Sequence, residues 1–147
     1  MYGGENERAE AEFRRDIELE PDLAANYEQL GVLYSRMQRD EEAEKSFREA
    51  LKRDAKNDAA FLGLAKLYQK QQKLEQALKM VDASLRLSPE IHGGHFLKGR
   101  ILTQLGRKKE ASVEFAAAQR AVDIPLNKKR DSRGEERIPK PELTKEP

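Results

Sequence analysis

Cysteine, tryptophan and long apolar runs are all missing from this chain of 147 residues. Without cysteine there is neither a disulfide framework nor a thiolate metal site. No run of about 18 apolar residues occurs, and residues 1–21 lack the basic and apolar segments of a secretion signal. A transmembrane helix and a signal peptide are therefore not predicted within this sequence. The expectation is a soluble, cytoplasmic protein with no membrane partner.

The residue patterns that carry catalysis are missing as well. No nucleophile is paired with a base, and no glycine-rich loop is present that would hold a phosphate. His92 and His95 could share a helix face, but two ligands without a third nearby fall short of a zinc site. The glycine pair between them, Gly93 and Gly94, predicts a weak helix start instead. We expect no enzyme activity, no cofactor and no metal site.

Charged residues, by contrast, are abundant. Asp, Glu, Lys and Arg make up 37% of the chain, against about 25% of an average protein. Such a composition suits helices that have one narrow apolar stripe and a wide polar face. The whole chain has a net charge of +1, but the charge is unevenly distributed. Residues 1–23 have a net charge of −5 and residues 92–125 have a net charge of +3. The chain therefore has an acidic head and a basic far end.

A period of 34 residues organises the sequence. The same residue types recur at fixed places in three copies, which contain Tyr27, Leu30, Gly31, Tyr34, Ala43, Phe47 and Ala50, then Phe61, Leu64, Ala65, Tyr68, Ala77, Val81 and Ser84, then Gly99, Leu102, Ala111, Phe115 and Ala118. Apolar residues at i, i+3, i+4 and i+7 predict amphipathic helices, at about 23–37, 40–53, 58–70, 74–87 and 108–122. A fixed period of this length indicates stacked helix pairs.

This order of residue types resembles the tetratricopeptide repeat (TPR) family, over residues 1 to about 125. The resemblance implies an all-α solenoid of antiparallel helix pairs wound into a right-handed superhelix. The expected domains are a half repeat at 1–23, repeats at 24–57, 58–91 and 92–125, and a charged tail at 126–147. The composition of that tail cannot bury enough apolar surface to fold, so we expect it to be disordered.

Residues 1–23 match the second helix of a repeat, because Ala9, Phe13 and Pro21 precede Ala43, Phe47 and Ala55 by one period. The chain would then open near the turn between two helices. One interpretation is a fragment of a longer array, such as the accessory arm of a larger enzyme or regulator. The other is a native helix that caps the stack.

Three local features carry expectations about packing. Gly31 lies inside a helix, where glycine costs about 1 kcal/mol, so close approach of the partner helix should offset that cost, with Ala43 facing it and Phe47 as the main buried side chain. Lys98 stands where the other repeats have leucine, and we expect Leu97 or Ile101 to compensate. The link at 70–73 lacks the glycine that Gly106 supplies later, so we expect a less regular turn there.

The resemblance also implies a concave groove lined by the first helix of each repeat. The groove positions carried over from the family, with an apolar floor flanked by bases, are Glu28, Val32, Arg36, Leu62, Lys66, Lys70, Phe96, Leu97 and Arg100, together with Ser35, Gln69, Gly93 and Thr103. The expected ligand is an acidic or amphipathic peptide or helical segment. The clamp with which some TPR proteins grip chaperone C termini is not present, because its positions hold Glu28, Val32, Gly63, Gly93 and Leu97.

The predicted function is that of a non-enzymatic protein–protein interaction module. Besides the accessory arm, one alternative is a scaffold that associates head to tail through its acidic and basic ends. Binding of RNA or DNA through the basic third repeat and the tail, which contains Lys128, Lys129 and Arg130, is the weaker alternative. A nucleic-acid-binding domain is usually strongly basic, whereas this chain is nearly neutral.

Overall fold

In a computed structural model, residues 2–123 form seven α-helices and no strand. The helices are α1 (Tyr2–Leu19), α2 (Ala24–Arg36), α3 (Asp40–Arg53), α4 (Asp58–Lys70), α5 (Leu74–Leu87), α6 (Gly94–Gln104) and α7 (Lys108–Asp123). The closest packing is within the pairs α2–α3, α4–α5 and α6–α7, and α1 packs on α2. The predicted all-α stack of helix pairs is confirmed, and the predicted helix bounds agree with these to within one residue. The predicted disordered tail lies outside the described residues.

The stack curves with its first helices on the inside. Helices α2 and α4 contact each other, and so do α4 and α6. No such contact joins two second helices, α1, α3, α5 and α7, within residues 2–123. Since the first helices lie closer together than the second helices, they form the inner, concave layer of the curve.

Phe47 is the central side chain of the core and is 1% exposed. A Cβ atom built on Gly31 would lie 2.7 Å from Cε1 of Phe47, and one built on Gly63 of the next repeat would lie 2.6 Å from the same atom. The expected close approach of the partner helix at Gly31 is therefore confirmed, and the atoms nearest to such a Cβ belong to Phe47. Gly99 repeats the contact with Phe115, where a Cβ would lie 2.6 Å from Cε1.

The third repeat compensates for Lys98 as expected. Leu97 is 6% exposed and Ile101 is fully buried. Ile101 stands one period after the buried Leu67, whereas Leu97 stands one period after Gly63 and so adds apolar volume that the second repeat lacks. The Lys98 side chain instead pairs with Asp82 of α5 at 2.7 Å and approaches Glu114 of α7 at 3.6 Å. A lysine is thus accommodated at the edge of the core because two carboxylates reach its ammonium group.

The turn at residues 71–73 is as regular as the other two, so the expectation of a less regular turn is wrong. Gln38, Gln72 and Gly106 all have positive φ angles, of 63°, 62° and 81°. In each turn the next amide donates to the carbonyl oxygen five residues earlier, at 2.8 to 2.9 Å, in Arg39–Tyr34, Lys73–Tyr68 and Arg107–Leu102. This is the Schellman pattern of a helix end. Its hydrogen bonds hold glutamine in a left-handed conformation that costs about 1 to 2 kcal/mol.

A polar cluster joins α1 to α2 and recurs one period later between α3 and α4. The Tyr34 hydroxyl donates to Glu10 Oε2 at 2.8 Å and accepts from Arg14 Nη2 at 2.7 Å. Tyr68 likewise donates to Glu44 Oε2 at 2.7 Å and accepts from Arg48. The sequence signal is Glu and Arg four apart, with Tyr 24 residues after the Glu. The clusters tie α1 to α2 and α3 to α4.

Candidate partner-binding groove

The nine singled-out groove residues lie on the three first helices. Glu28, Val32 and Arg36 are on α2, Leu62, Lys66 and Lys70 on α4, and Phe96, Leu97 and Arg100 on α6. On α2 and α4 they are spaced by four residues, as are Phe96 and Arg100 on α6, and this spacing places them on one face of each helix. Leu97 directly follows Phe96 and belongs to the buried core. Because α2 contacts α4 and α4 contacts α6, the three faces adjoin.

The apolar residues of this surface divide into a buried pair and an exposed pair. Leu62 is 7% exposed and Leu97 is 6% exposed, and both belong to the hydrophobic core. Val32 is 40% exposed and Phe96 is 51% exposed. The apolar floor expected from the sequence is therefore largely covered, and the apolar surface open to a partner is provided by Val32 and Phe96.

The basic residues of the surface also differ from one another. Arg36, Lys66 and Arg100 are exposed and form no ion pair with any described residue. Lys70 instead donates through Nζ to Gln38 Oε1 at 2.7 Å and to Asp40 Oδ1 at 3.1 Å. Three cations are thus free to meet an incoming ligand, whereas Lys70 holds the end of α4 against the start of α3.

The remaining polar groups of the surface make contacts inside the molecule. Glu28 accepts a hydrogen bond from Gln29 at 3.1 Å. Gln69 Nε2 donates to Gln104 Oε1 at 2.7 Å and so joins α4 to α6, and Thr103 donates to the Gly99 carbonyl oxygen. Gln104 was not among the sequence-predicted groove residues, although it stands one period after Lys70. Of these contacts, the Gln69–Gln104 hydrogen bond joins two neighbouring first helices, whereas those of Glu28 and Thr103 lie within one helix.

Charge is segregated between the two layers of the stack. The first helices α2, α4 and α6 contain five basic and two acidic residues. The second helices α1, α3, α5 and α7 contain twelve basic and sixteen acidic residues. The inner layer therefore carries a net positive charge and the outer layer a net negative charge, on a molecule that is nearly neutral as a whole.

His95 has both ring nitrogens in contacts within the fold. Nδ1 lies 2.7 Å from Glu114 Oε1 and Nε2 lies 3.0 Å from the Pro89 carbonyl oxygen. The part of the chain from 2 to 123 contains no cluster of three or more His, Cys, Asp or Glu side chains that could hold a metal ion. In the same segment, no helix combines the length and apolar character needed to cross a bilayer.

Comparisons with solved structures agree on the fold. A crystal structure of MamA is 15% identical, with a TM-score of 0.72 over 87% of this chain and 71% of MamA. MamA from Desulfovibrio magneticus RS-1, from residue 41 to its end, is 18% identical, with a TM-score of 0.70 over 82% of this chain and 70% of that one. At these identities the likeness shows the fold alone.

The structure of YrrB is 25% identical, with a TM-score of 0.68, and it is described as a TPR protein with an unusual peptide-binding site. The match covers 78% of this chain and 58% of YrrB. The comparison with curated proteins finds no match. Two sequence models of the tetratricopeptide repeat match residues 41–93 and 24–57. Residues 24–93 of this chain therefore belong to the tetratricopeptide repeat family, and the helix pairs of residues 2–123 have the fold of that family.

Proposed function

We propose that this chain is a non-enzymatic interaction module whose first-helix groove binds an acidic or amphipathic segment of a partner protein. We take residues 24–57, 58–91 and 92–125 as its three repeats and 1–23 as a half repeat. The observation that carries the proposal is the combination of free cations and exposed apolar side chains on one surface. The peptide-binding site described for YrrB supports the same use of the fold.

The charges of the groove favour an acidic ligand. Arg36, Lys66 and Arg100 have no carboxylate partner among the described residues, so a ligand carboxylate can pair with them without breaking an internal ion pair. Each exposed pair is worth about 0.2 to 1 kcal/mol. Several such pairs, on an inner layer that carries net positive charge, also raise the rate at which an acidic ligand encounters the groove.

The apolar residues favour a ligand that also carries aliphatic or aromatic side chains. Phe96 packs against Phe115 with ring centroids 5.7 Å apart, and about half of its surface remains available. Val32 lies at the other end of the surface on α2. A ligand that reaches both must cross α4, where Lys66 projects between them. An amphipathic segment with acidic residues in its middle satisfies all three positions.

The test is a double charge reversal, Lys66→Glu with Arg100→Glu. The probe is the tightest peptide selected from a displayed random library on the unmodified chain, with affinity measured by fluorescence anisotropy. We expect the selected peptides to be rich in Asp and Glu and the double variant to bind about 30-fold more weakly, since two attractive pairs become repulsive. Circular dichroism should show the same helix content in both proteins.

A matched control reverses two exposed charges on the outer layer, Lys45→Glu with Lys79→Glu. Both lysines are exposed and form no ion pair with a described residue. This variant has the same net charge as the groove variant and should bind the peptide nearly as well as the unmodified chain. Equal losses in the two variants, or no loss in either, would rule out the groove as the binding surface.

A further inference from the structure

The second helix at the basic end of the stack has an uncovered side. In α3, Phe47 is covered from both sides, by Gly31 of α2 and Gly63 of α4. Phe115 occupies the same place in α7 and touches Gly99 of α6, but within residues 2–123 no helix follows to cover its other side. Phe115 is accordingly half-buried, whereas Phe47 is 1% exposed. One half of a repeat interface is present at this end.

Comparison of α7 with α3 also shows which charge lies at the uncovered side. In the inner interface, Asp40 at the start of α3 pairs with Lys70 of α4 at 3.1 Å. The residue at the position of Asp40 in α7 is Lys108, which is exposed and forms no ion pair with a described residue. Gly63 and Lys70 are two helical turns apart. The uncovered side of α7 therefore fits a helix in which a small residue is followed seven residues later by an acidic one.

Helix α1 has this pattern on an uncovered side of its own. Ala9 and Asp16 are seven residues apart and stand one period before Ala43 and Ala50, both of which are fully buried in the stack. On α1, Ala9 and Phe13 are half-buried and pack partly against the core, and Asp16 is exposed. Within residues 2–123 no first helix packs on the side of α1 away from α2. The two ends of the molecule thus have complementary residues.

We propose that copies of this chain associate head to tail, with α1 of one copy lying antiparallel on α7 of the next. In this register Ala9 lies opposite Phe115, Phe13 lies near Ser112 and Asp16 lies opposite Lys108. The acidic head, residues 1–23 with a net charge of −5, then meets the basic third repeat, residues 92–125 with a net charge of +3. Pairing two α7 ends would instead bring like charges together. A head-to-tail contact leaves both outer ends unoccupied, so it propagates rather than closing.

The chain's own residues 124–147 are less suited to cover α7. Continuing the 34-residue register places Arg133 where Gly31, Ala65 and Gly99 stand. It also places Glu136 where Tyr34, Tyr68 and Leu102 stand. Two charged side chains would then occupy positions that are buried in every described repeat, which costs free energy unless each is paired.

The test is the molar mass of the full chain by light scattering, over a range of protein concentrations at low salt and at 1 M NaCl. We expect the mass to rise with concentration at low salt without reaching a fixed oligomer. It should fall toward the monomer in 1 M NaCl, where the screening length shortens to about 3 Å. Lys108→Glu or Asp16→Lys alone should each weaken association about tenfold, because an attractive pair becomes repulsive.

The double variant, Lys108→Glu with Asp16→Lys, restores an opposite-charge pair and should recover association. Lys79→Glu and Glu18→Lys make the same charge changes on exposed positions away from the two faces and should leave the mass unchanged. A monomer at every concentration would overturn the proposal and assign the uncovered faces to a partner protein or to residues 124–147. Loss of association in Lys108→Glu but not in Asp16→Lys would also overturn it, because the contact would then not involve Asp16 of α1.

Discussion

Phe47 and the glycines around it show how one residue sets the distance between helices. In the first repeat Gly31 faces Phe47, and in the third repeat Gly99 faces Phe115. In the second repeat the same two places hold Ala65 and Val81, both fully buried. A larger residue on the first helix is matched by a smaller one on the second helix. The repeats therefore keep the volume between their helices while exchanging the side chains that fill it.

We expect Gly63→Ala to lower the free energy of unfolding by about 1 to 2 kcal/mol. Alanine is the better helix former by about 1 kcal/mol, but its methyl group would overlap the ring of Phe47, which has no room to move in a fully packed core. Urea unfolding measures the change. The matched control is Gly4→Ala, because a Cβ at Gly4 has no atom within 4 Å. That change should stabilise the chain, and a gain at Gly63 as well would contradict the tight packing.

The sequence predicted the burial of Phe47 and the role of Gly31, but it did not predict Gly63. Gly31 belongs to the same repeat as Phe47 and stands at a recurring position, whereas Gly63 belongs to the next repeat and has Gln29 as its counterpart. Its contact depends on how two repeats stack.

The groove positions were likewise predicted from the sequence, but the exposed fraction of each side chain was not. Leu97 was expected both in the groove and as compensation for Lys98, and its burial of 94% assigns it to the core.

The interfaces between helices depend on the two tyrosine clusters as well as on apolar packing. Burial alone would raise the pKa of Glu10, but hydrogen bonds from Tyr34, Arg14 and Arg39 outweigh it and hold the pKa below its ordinary 4.5. The pKa of Glu44 is likewise lowered against burial, by Tyr68 and Arg48. The folded state therefore stabilises the charged form of both carboxylates more than the unfolded chain does.

These shifts predict an acid-sensitive stack. A lowered folded pKa adds stability above the unfolded value near 4.5, and this stability is lost as the pH falls through the folded value. The free energy of unfolding should therefore decrease between about pH 6 and pH 3. In the variant Glu10→Gln with Glu44→Gln, unfolding by urea should show lower stability at pH 6 and a smaller decrease on acidification.

A control for that prediction is Glu18→Gln together with Glu41→Gln. These glutamates are exposed and form no ion pair with a described residue, so the variant removes the same charge without touching either cluster. Its dependence on pH should match that of the unmodified chain. If all three proteins lost stability in parallel on acidification, the clusters would not be the origin of the effect.

At the scale of the whole molecule, the stack has a firm middle and weaker ends. The largest fully buried side chains include Phe47, Leu64 and Tyr68 in α3 and α4. No described side chain of α1 is buried, and the only buried one among the described side chains of α7 is Ala111, at 2% exposure. In a linear array each unit is stabilised mainly by its neighbours, so the terminal helices have fewer stabilising contacts than the middle ones.

Amide hydrogen exchange should reveal this gradient. In dilute protein at high salt, we expect the slowest amides in α3 and α4, and amides of α1 and α7 should exchange at least about tenfold faster because the terminal helices open locally. Mass spectrometry of peptides from each helix measures the difference. Equal protection throughout residues 2–123 would mean instead that the stack opens only as a single unit.

The segregation of charge between the layers gives the molecule's electric dipole a component across the stack, from the outer second helices to the inner first helices, beside the component along the stack from the acidic head to the basic end. A neutral protein with such a dipole is not pulled strongly toward charged surfaces, but it is rotated by them. An acidic body within about one screening length, roughly 10 Å at 0.1 M salt, turns the inner layer toward itself before contact. The layering therefore acts on orientation during encounter, and selects the face that arrives first.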